Sequence, residues 1–345
     1  MKYLLFFILC FPFSLSAQIL KGKVVDAQTN KPLENADVFI DQTSIGTSTN
    51  ENGLFELDAK GAQQQVIINA FGYKNKAFST SDFKTFKTIS LEPEDEILQE
   101  VVIEVSLFSR KELLKTFKHF FLGTTTNGKK AIIENEDDLV LYYDKEQRML
   151  ICESPKPIRV LNKNLGYRVL FYLNEAKITF RNKTINPESY HQSIIFGYTS
   201  FTDLRKTRTE YVKQRNKTFD VSANPFWLAF LKNNLKENDY YFYVNGMIIE
   251  RDDYFSIEPK GDDFKVSLIQ KPVAKGFKNT ENIENIEPFN VTHVKRKEQK
   301  SLIYVLDNEI YINKNGFVIN PQNIVYGGYF SDLKIADMLP MDFSK

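Results

Sequence analysis

The sequence contains three histidines, and where they stand limits the chemistry it can do. His119 is followed by Phe-Phe-Leu, His191 by Gln-Ser-Ile and His293 by Val-Lys-Arg. None has a carboxylate three residues on, so no such pair can offer two ligands to one zinc ion. There is no Gly-x-Ser-x-Gly elbow and no His-Glu-x-x-His. A serine or cysteine triad meets only in the fold and leaves no local mark, but three histidines are few to serve one. Gly123-Thr-Thr-Thr-Asn-Gly-Lys129-Lys130 comes near the phosphate-binding loop, in which a Ser or Thr that binds magnesium follows the lysine. Lys130 takes that place, and the stretch follows a helical pattern and leads into strands, the reverse of what the loop requires. Glu134-Asn-Glu-Asp-Asp138, Asp252-Asp253 and Asp262-Asp263 are paired or clustered carboxylates, able in principle to exchange protons or hold calcium. None has the EF-hand spacing, and each sits where a turn is expected. No catalytic residue, metal ligand or cofactor site is read from the sequence.

Two stretches suit a surface rather than a reaction. Arg205-Lys-Thr-Arg-Thr-Glu-Tyr-Val-Lys-Gln-Arg-Asn-Lys217 holds six basic residues in thirteen. Arg205, Lys206, Arg208 and Tyr211 could meet an anionic surface such as lipopolysaccharide or an acidic glycan. The plainer reading is the solvated face of a helix. His293–Lys300 is a second basic run, open to the same plainer reading. Tyr240-Tyr-Phe-Tyr243 puts aromatics on both faces of a strand, one of them core. Tyr241 and Tyr243, on the other face, could stack on a sugar ring or a partner, although a strand buried on both sides explains them equally. Trp227, beside Phe226, reads as core.

The 345 residues suit two domains, and the 42% apolar content is enough for real cores. With 45 basic and 44 acidic residues, the chain lacks the basic excess of a nucleic-acid binder. Met1-Lys2, a short apolar run from Tyr3 to Phe13, and Ser14-Leu-Ser-Ala17 form a secretory signal peptide, residues 1–17. The run is shorter than the roughly 20 residues of a membrane span, and no later stretch approaches that length. Leu9 before Cys10, inside the apolar run, argues against lipidation. Cleavage leaves Cys152 as the one cysteine, so no intrachain disulfide forms, and its apolar setting reads as a buried inert thiol.

From Gln18, short alternating apolar runs are separated by turn signals. They predict strands at Ile19–Val25, Ala36–Asp41, Ser44–Thr49, Gly53–Leu57, Gln65–Ala70, Tyr73–Ser79 and Thr85–Leu91. Seven such strands predict an antiparallel β-sandwich of the immunoglobulin-like kind over residues 18–92. Gly22-Lys-Val-Val-Asp26, Thr29, Pro32-Leu33, Ala36, Val38, Gly46-Thr47, Thr49, Gly53-Leu-Phe55 and Phe71-Gly72-Tyr73 follow in order. In these the segment resembles the carboxypeptidase-like regulatory domain, a prealbumin-like sandwich that in Bacteroidota also often precedes the plug of TonB-dependent receptors. That resemblance implies a binding or docking module, not a peptidase.

Residues 93–109 read as a linker and strand, in which Leu98–Val105 resembles the approach to a receptor plug. The roughly 240 residues that follow are too few for a plug and a large barrel. Residues 110–345 read as a β-rich α+β domain. A helix is predicted over Arg110–Leu122, with Leu113, Leu114, Phe117, Phe120 and Phe121 on one face. Strands follow at Leu139–Tyr143, Met149–Cys152, Ile158–Leu161, Gly166–Leu173, Lys177–Phe180 and Ser193–Phe201. Asn224-Pro225 predicts an N-cap and first helical residue for a helix running to about Leu235. Further strands are expected at Tyr240–Val244, Met247–Glu250, Phe264–Gln270, Leu302–Leu306, Glu309–Ile312 and Phe317–Ile319. Phe117–Gly123, Asn164-Leu-Gly-Tyr167, Arg208 with Tyr211, Phe226–Leu231 and Ala336-Asp-Met-Leu-Pro340 resemble exported Bacteroidota proteins that carry the same regulatory domain. One departure is Val221-Ser-Ala-Asn-Pro-Phe226, where those proteins tend to read Gly-Ser and then His-Phe. The resemblance implies no catalytic residues.

The expectation is a mainly β, exported protein that stays in the periplasm or at the outer membrane or is secreted, without cofactor or nucleic acid. Its sandwich would dock an envelope protein or glycan. A hydrolase of peptide or glycan with its site in 110–345, and a purely structural envelope protein, are the alternatives.

Overall fold

The computed structural model describes residues 18–60, 62, 64–94, 107–205, 208–261, 263–272, 287–296 and 299–345. The signal-peptide stretch, Leu98–Val105 and Lys206 lie outside the described residues. Met1–Ile40 with Ile45–Asp95 form one compact unit, and Asp41–Ser44 with Glu96–Lys345 form a second. Both are mostly β.

The described residues of the first unit form seven strands: β1 (Ile19–Asp26), β2 (Asp37–Ile40), β3 (Gly46–Ser48), β4 (Leu54–Asp58), β5 (Gln65–Asn69), β6 (Lys76–Ser79) and β7 (Lys87–Leu91). They form two sheets, ordered β4-β1-β7 and β3-β2-β5-β6. Pairing is antiparallel apart from β1 with β7, which run parallel. Alternation places Leu20, Val24, Val38, Ile40, Val66 and Ile68 in one core between the sheets. Gly53 needs its freedom, because at φ +71° a side chain would meet the Val24 carbonyl.

The second unit opens with α1 (Arg110–Leu122), closed by a capping box between Ser109 and Glu112. After it come α2 (Thr126–Lys130), β8 (Ala131–Ile133), β9 (Val140–Asp144), β10 (Met149–Glu153), β11 (Ile158–Asn162), β12 (Tyr167–Phe180), β13 (Tyr190–Asp203) and α3 (Thr209–Val221). The long β12 pairs on one side with β11 and then β10, which lead out to β8 and β9. Its other side pairs with β13 along the whole length. Phe117, Phe121, Val169, Ile178 and Phe219 lie in the core that α1 and α3 build on this sheet.

A second core in the same unit gathers around α4 (Asn224–Leu231), where Phe226, Trp227 and Phe230 are buried. Around it stand β14 (Tyr240–Val244), β15 (Met247–Ile248), β16 (Phe255–Lys260), β17 (Asp263–Leu268), β18 (Phe289–His293), β19 (Lys300–Val305), β20 (Glu309–Asn313), β21 (Ile324–Gly328) and α5 (Tyr329–Asp332). They form two sheets, β15-β14-β18-β19-β21 and β16-β17-β20. The described residues of 110–345 thus gather into two hydrophobic cores where the sequence pattern suggested one domain.

Several local expectations are corrected. Gly166–Leu173 and Lys177–Phe180 are one strand, because a register shift at Asn174 absorbs the polar residues that suggested a break. Ala223 caps α4, with Asn224 already helical, and the helix stops at Leu231 rather than Leu235 because Asn233 turns to φ +53°. Phe317–Ile319 contributes a single bridge, Val318 to Ile312, in place of a strand. Asp263 begins β17 and is buried, so it is not a turn residue.

One latch in the first unit explains three positions that carried the family resemblance. Asp26 accepts backbone N–H bonds from Thr29 at 2.6 Å and Gln28 at 2.8 Å, and the Tyr73 hydroxyl donates to it at 2.7 Å. The Thr29 N–H and then the Tyr73 hydroxyl hold the carboxyl down to about 2, below the ordinary 3.8. The folded value lies below the unfolded one, so this stabilisation is full above about pH 4 and is lost as the pH falls through about 2. Carbon-detected NMR titration of the aspartates should find Asp26 among the lowest. Tyr73→Phe should move its midpoint up and lower the melting temperature at pH 7 more than at pH 2.

Candidate functional site

The side chains best equipped for chemistry converge on the turn between β11 and β12. Asn162 starts it by accepting the N–H groups of Asn164 and Leu165 on its own Oδ1, at 3.1 and 3.0 Å. Gly166 completes it at φ +68°, and a side chain there would enter the ring of Tyr211. Arg215, reaching from α3, is 3% exposed. Its Nε donates to the Leu165 carbonyl at 2.8 Å, and Nη2 to that of Gly166 at 3.3 Å. The guanidinium forms two parallel 2.8 Å bonds with the Asp203 carboxylate and lies 3.9 Å from the centre of the Tyr167 ring. Burial pushes the Tyr167 hydroxyl well above its usual range.

A polar chain continues from this turn. Asn164 Nδ2 donates to Asn127 Oδ1 at 2.6 Å, and Lys130 Nζ donates to Asn164 Oδ1 at 2.9 Å. Asn127 Nδ2 donates to Asp337 at 2.9 Å and to the Thr218 hydroxyl at 3.0 Å, while Thr125 donates to both Asp337 oxygens. Asn162 Nδ2 reaches the Ala336 carbonyl at 2.7 Å. Burial raises the Asp337 carboxyl, and the bonds from Thr125 and Asn127 oppose it. Three of the motifs behind the second resemblance therefore meet here: Asn164–Tyr167, the Tyr211 of the Arg208 pair, and Ala336–Asp337. Their polar groups are engaged with one another. The near miss to a phosphate loop is settled here as well. Thr125 caps the five-residue α2 by accepting the Gly128 N–H, and its hydroxyl and the Asn127 side chain are taken up by the Asp337 carboxylate.

The residues singled out as a surface lie on separate elements. Tyr241 and Tyr243 are on the outer face of β14 with ring centres 6.0 Å apart, while Tyr240 and Phe242 turn into the core. Arg205 is exposed beyond β13. Arg208 pairs with Glu210 at 2.7 Å and lies 5.1 Å from the Tyr211 ring. The structure does not bring the α3 group and the two tyrosines into one site. Within the basic run, Lys213 and Lys217 are solvated, but Arg215 is not. Its burial was missed because six basic residues in a row of thirteen conceal which one turns inward. The signal that could have found it is Asp203, the one acid between Tyr190 and Thr209.

Several further candidates are accounted for locally, and Asp262 lies outside the described residues. Glu134 pairs with Arg168 at 3.0 Å and Asp138 with Lys156 at 3.3 Å. Burial pushes the Cys152 thiol up to about 12, which leaves it protonated and unreactive. His293 has its Nδ1 buried without a described partner, and burial and then Arg296 lower its imidazole. The hollow beside it, lined by Ser222, Tyr240, Arg296 and Phe330 among others, has room for about one water. Among the described residues no three His, Cys, Asp or Glu gather as a metal ion requires, and no helix is long and apolar enough to cross a membrane.

Residues 20–103 match the family model of the CarboxypepD_reg-like domain, so the chain carries such a domain at its N-terminal side. A search of the curated proteins finds no match to the chain.

Removing one partner of the buried pair should be costly. Asp203→Ala leaves the Arg215 guanidinium uncompensated and should lower unfolding stability by about 3–5 kcal/mol. Arg208→Ala, at a solvated pair, should cost at most about 1 kcal/mol. Urea denaturation of both variants measures the contrast, and equal losses would refute the central place given to Arg215.

Proposed function

We propose that this chain is a non-catalytic binding protein of the cell envelope, exported by the signal sequence at residues 1–17, whose sandwich docks a protein or a glycan. The observation that carries this reading is how the polar groups of the second unit are used. Arg215 with Asp203, and Asp337 with Thr125 and Asn127, are satisfied by one another rather than aimed at a space a substrate could enter. The CarboxypepD_reg-like domain at residues 20–103 supports the docking half of the reading. In that domain Phe71 and Phe86 are 70% and 58% exposed.

The test is fractionation of native cells carrying a tagged full chain, followed by cross-linking and identification of what co-purifies. A defined protein or glycan partner recovered with the envelope is expected. Phe71→Ser with Phe86→Ser should abolish its capture with little change in melting temperature. A soluble chain without a partner would sink the adaptor reading and turn attention to peptide and glycan hydrolysis.

A further inference from the structure

Several sheet edges of the second unit are protected in different ways, and the long edge at β13 lacks such protection. β15 is two residues long and β8 three. β16 carries Glu258, Pro259 and Lys260, β21 is followed directly by α5, and Val318 bridges to β20. Short strands, charge, proline and cover are the ordinary means by which an edge avoids pairing with another chain. β13 has none of them over most of its length. It runs for 14 residues beside β12 and has no charged residue from Tyr190 to Thr202.

The backbone direction along this edge follows from its far end. Thr199 accepts the Gln42 N–H through its carbonyl, and Phe201 donates to the Thr43 carbonyl, both within this unit. These groups point away from β12, and by alternation so do those of Ser193, Ile195 and Gly197. Among the described residues these three have no second strand beside them. Ile195 packs toward the core, whereas Ile194 and Phe196 stand on the outer face, 42% and 46% exposed.

We propose that Gln192–Tyr198 pairs antiparallel with the same segment of a second copy, making a two-fold dimer through a continuous sheet. The segment fits itself. Centred on Ile195, the register puts Ile194 of each copy opposite Phe196 of the other and Gln192 opposite Tyr198. Ser193 and Gly197 exchange main-chain bonds. No like charges meet, which is the usual obstacle to such self-pairing. The pairing consumes both edges, so it closes at two copies.

Sedimentation velocity of the full chain over a range of concentrations tests this. The wild type should be a dimer. Ile194→Lys with Phe196→Lys changes only exposed side chains, and it should weaken association at least about a hundredfold by setting lysines against lysines. Mixing that variant with the Ile194→Glu, Phe196→Glu chain should restore a dimer containing one of each. A monomeric wild type, a dimer unaffected by the lysines, open-ended association, or a mixture that stays monomeric would each overturn the proposal. Retained circular dichroism and melting temperature in the lysine variant would separate lost pairing from lost fold.

Discussion

The second unit depends on one buried charge. A guanidinium taken out of water must recover its hydration from the protein, and Arg215 does so from one carboxylate, two carbonyls and the rings of Tyr167 and Tyr211. Each partner constrains a different element. Asp203 is the last residue of β13, the carbonyls of Leu165 and Gly166 belong to the turn into β12, and Tyr167 is the first residue of that strand. Moving α3 by even one residue would bury the charge with nothing to meet it. The ion pair therefore contributes register between helix and sheet, whereas the packed Phe, Val and Ile side chains contribute the bulk of the cohesion.

The same reasoning accounts for the polar chain running to Asp337. Asn127, Asn162, Asn164 and Thr218 are buried and would be destabilising singly. Together they satisfy one another and tie α2, the turn and the segment around Ala336 to the sheet. Residues far apart in sequence are spaced as they are because a half-satisfied network would be worse than none. This explains why such motifs can be recognisable in a chain without marking a reaction.

How much of this was legible in the sequence depended on the range of the interaction. α1 was readable to the residue, since its apolar face and the Ser109–Glu112 cap are both local signals. All seven strands of the first unit were readable, because Asn52-Gly53 and the other turns punctuate a clean alternation. The end of α4 was not, since Leu235 continues the apolar pattern and only the φ of Asn233 breaks the helix. The convergence at 162–166 was not readable either. Asn127, Asn164, Thr218 and Asp337 are ordinary polar residues until the fold brings them together across as many as 210 positions.

Edges are a further case in which alternation alone is silent. A strand with apolar residues on both faces reads as central, and Ser193-Ile-Ile-Phe-Gly-Tyr198 invites that reading. In the fold its inner face is indeed covered by the first core, yet its second side has a described neighbour only at Thr199–Phe201. A central-strand composition at an edge position is a conflict between local pattern and monomeric topology. Such conflicts persist where something outside the monomer resolves them. For β13 the proposed second copy does so, because its own uncharged strand, run antiparallel, supplies both the extended backbone and the matching apolar side chains.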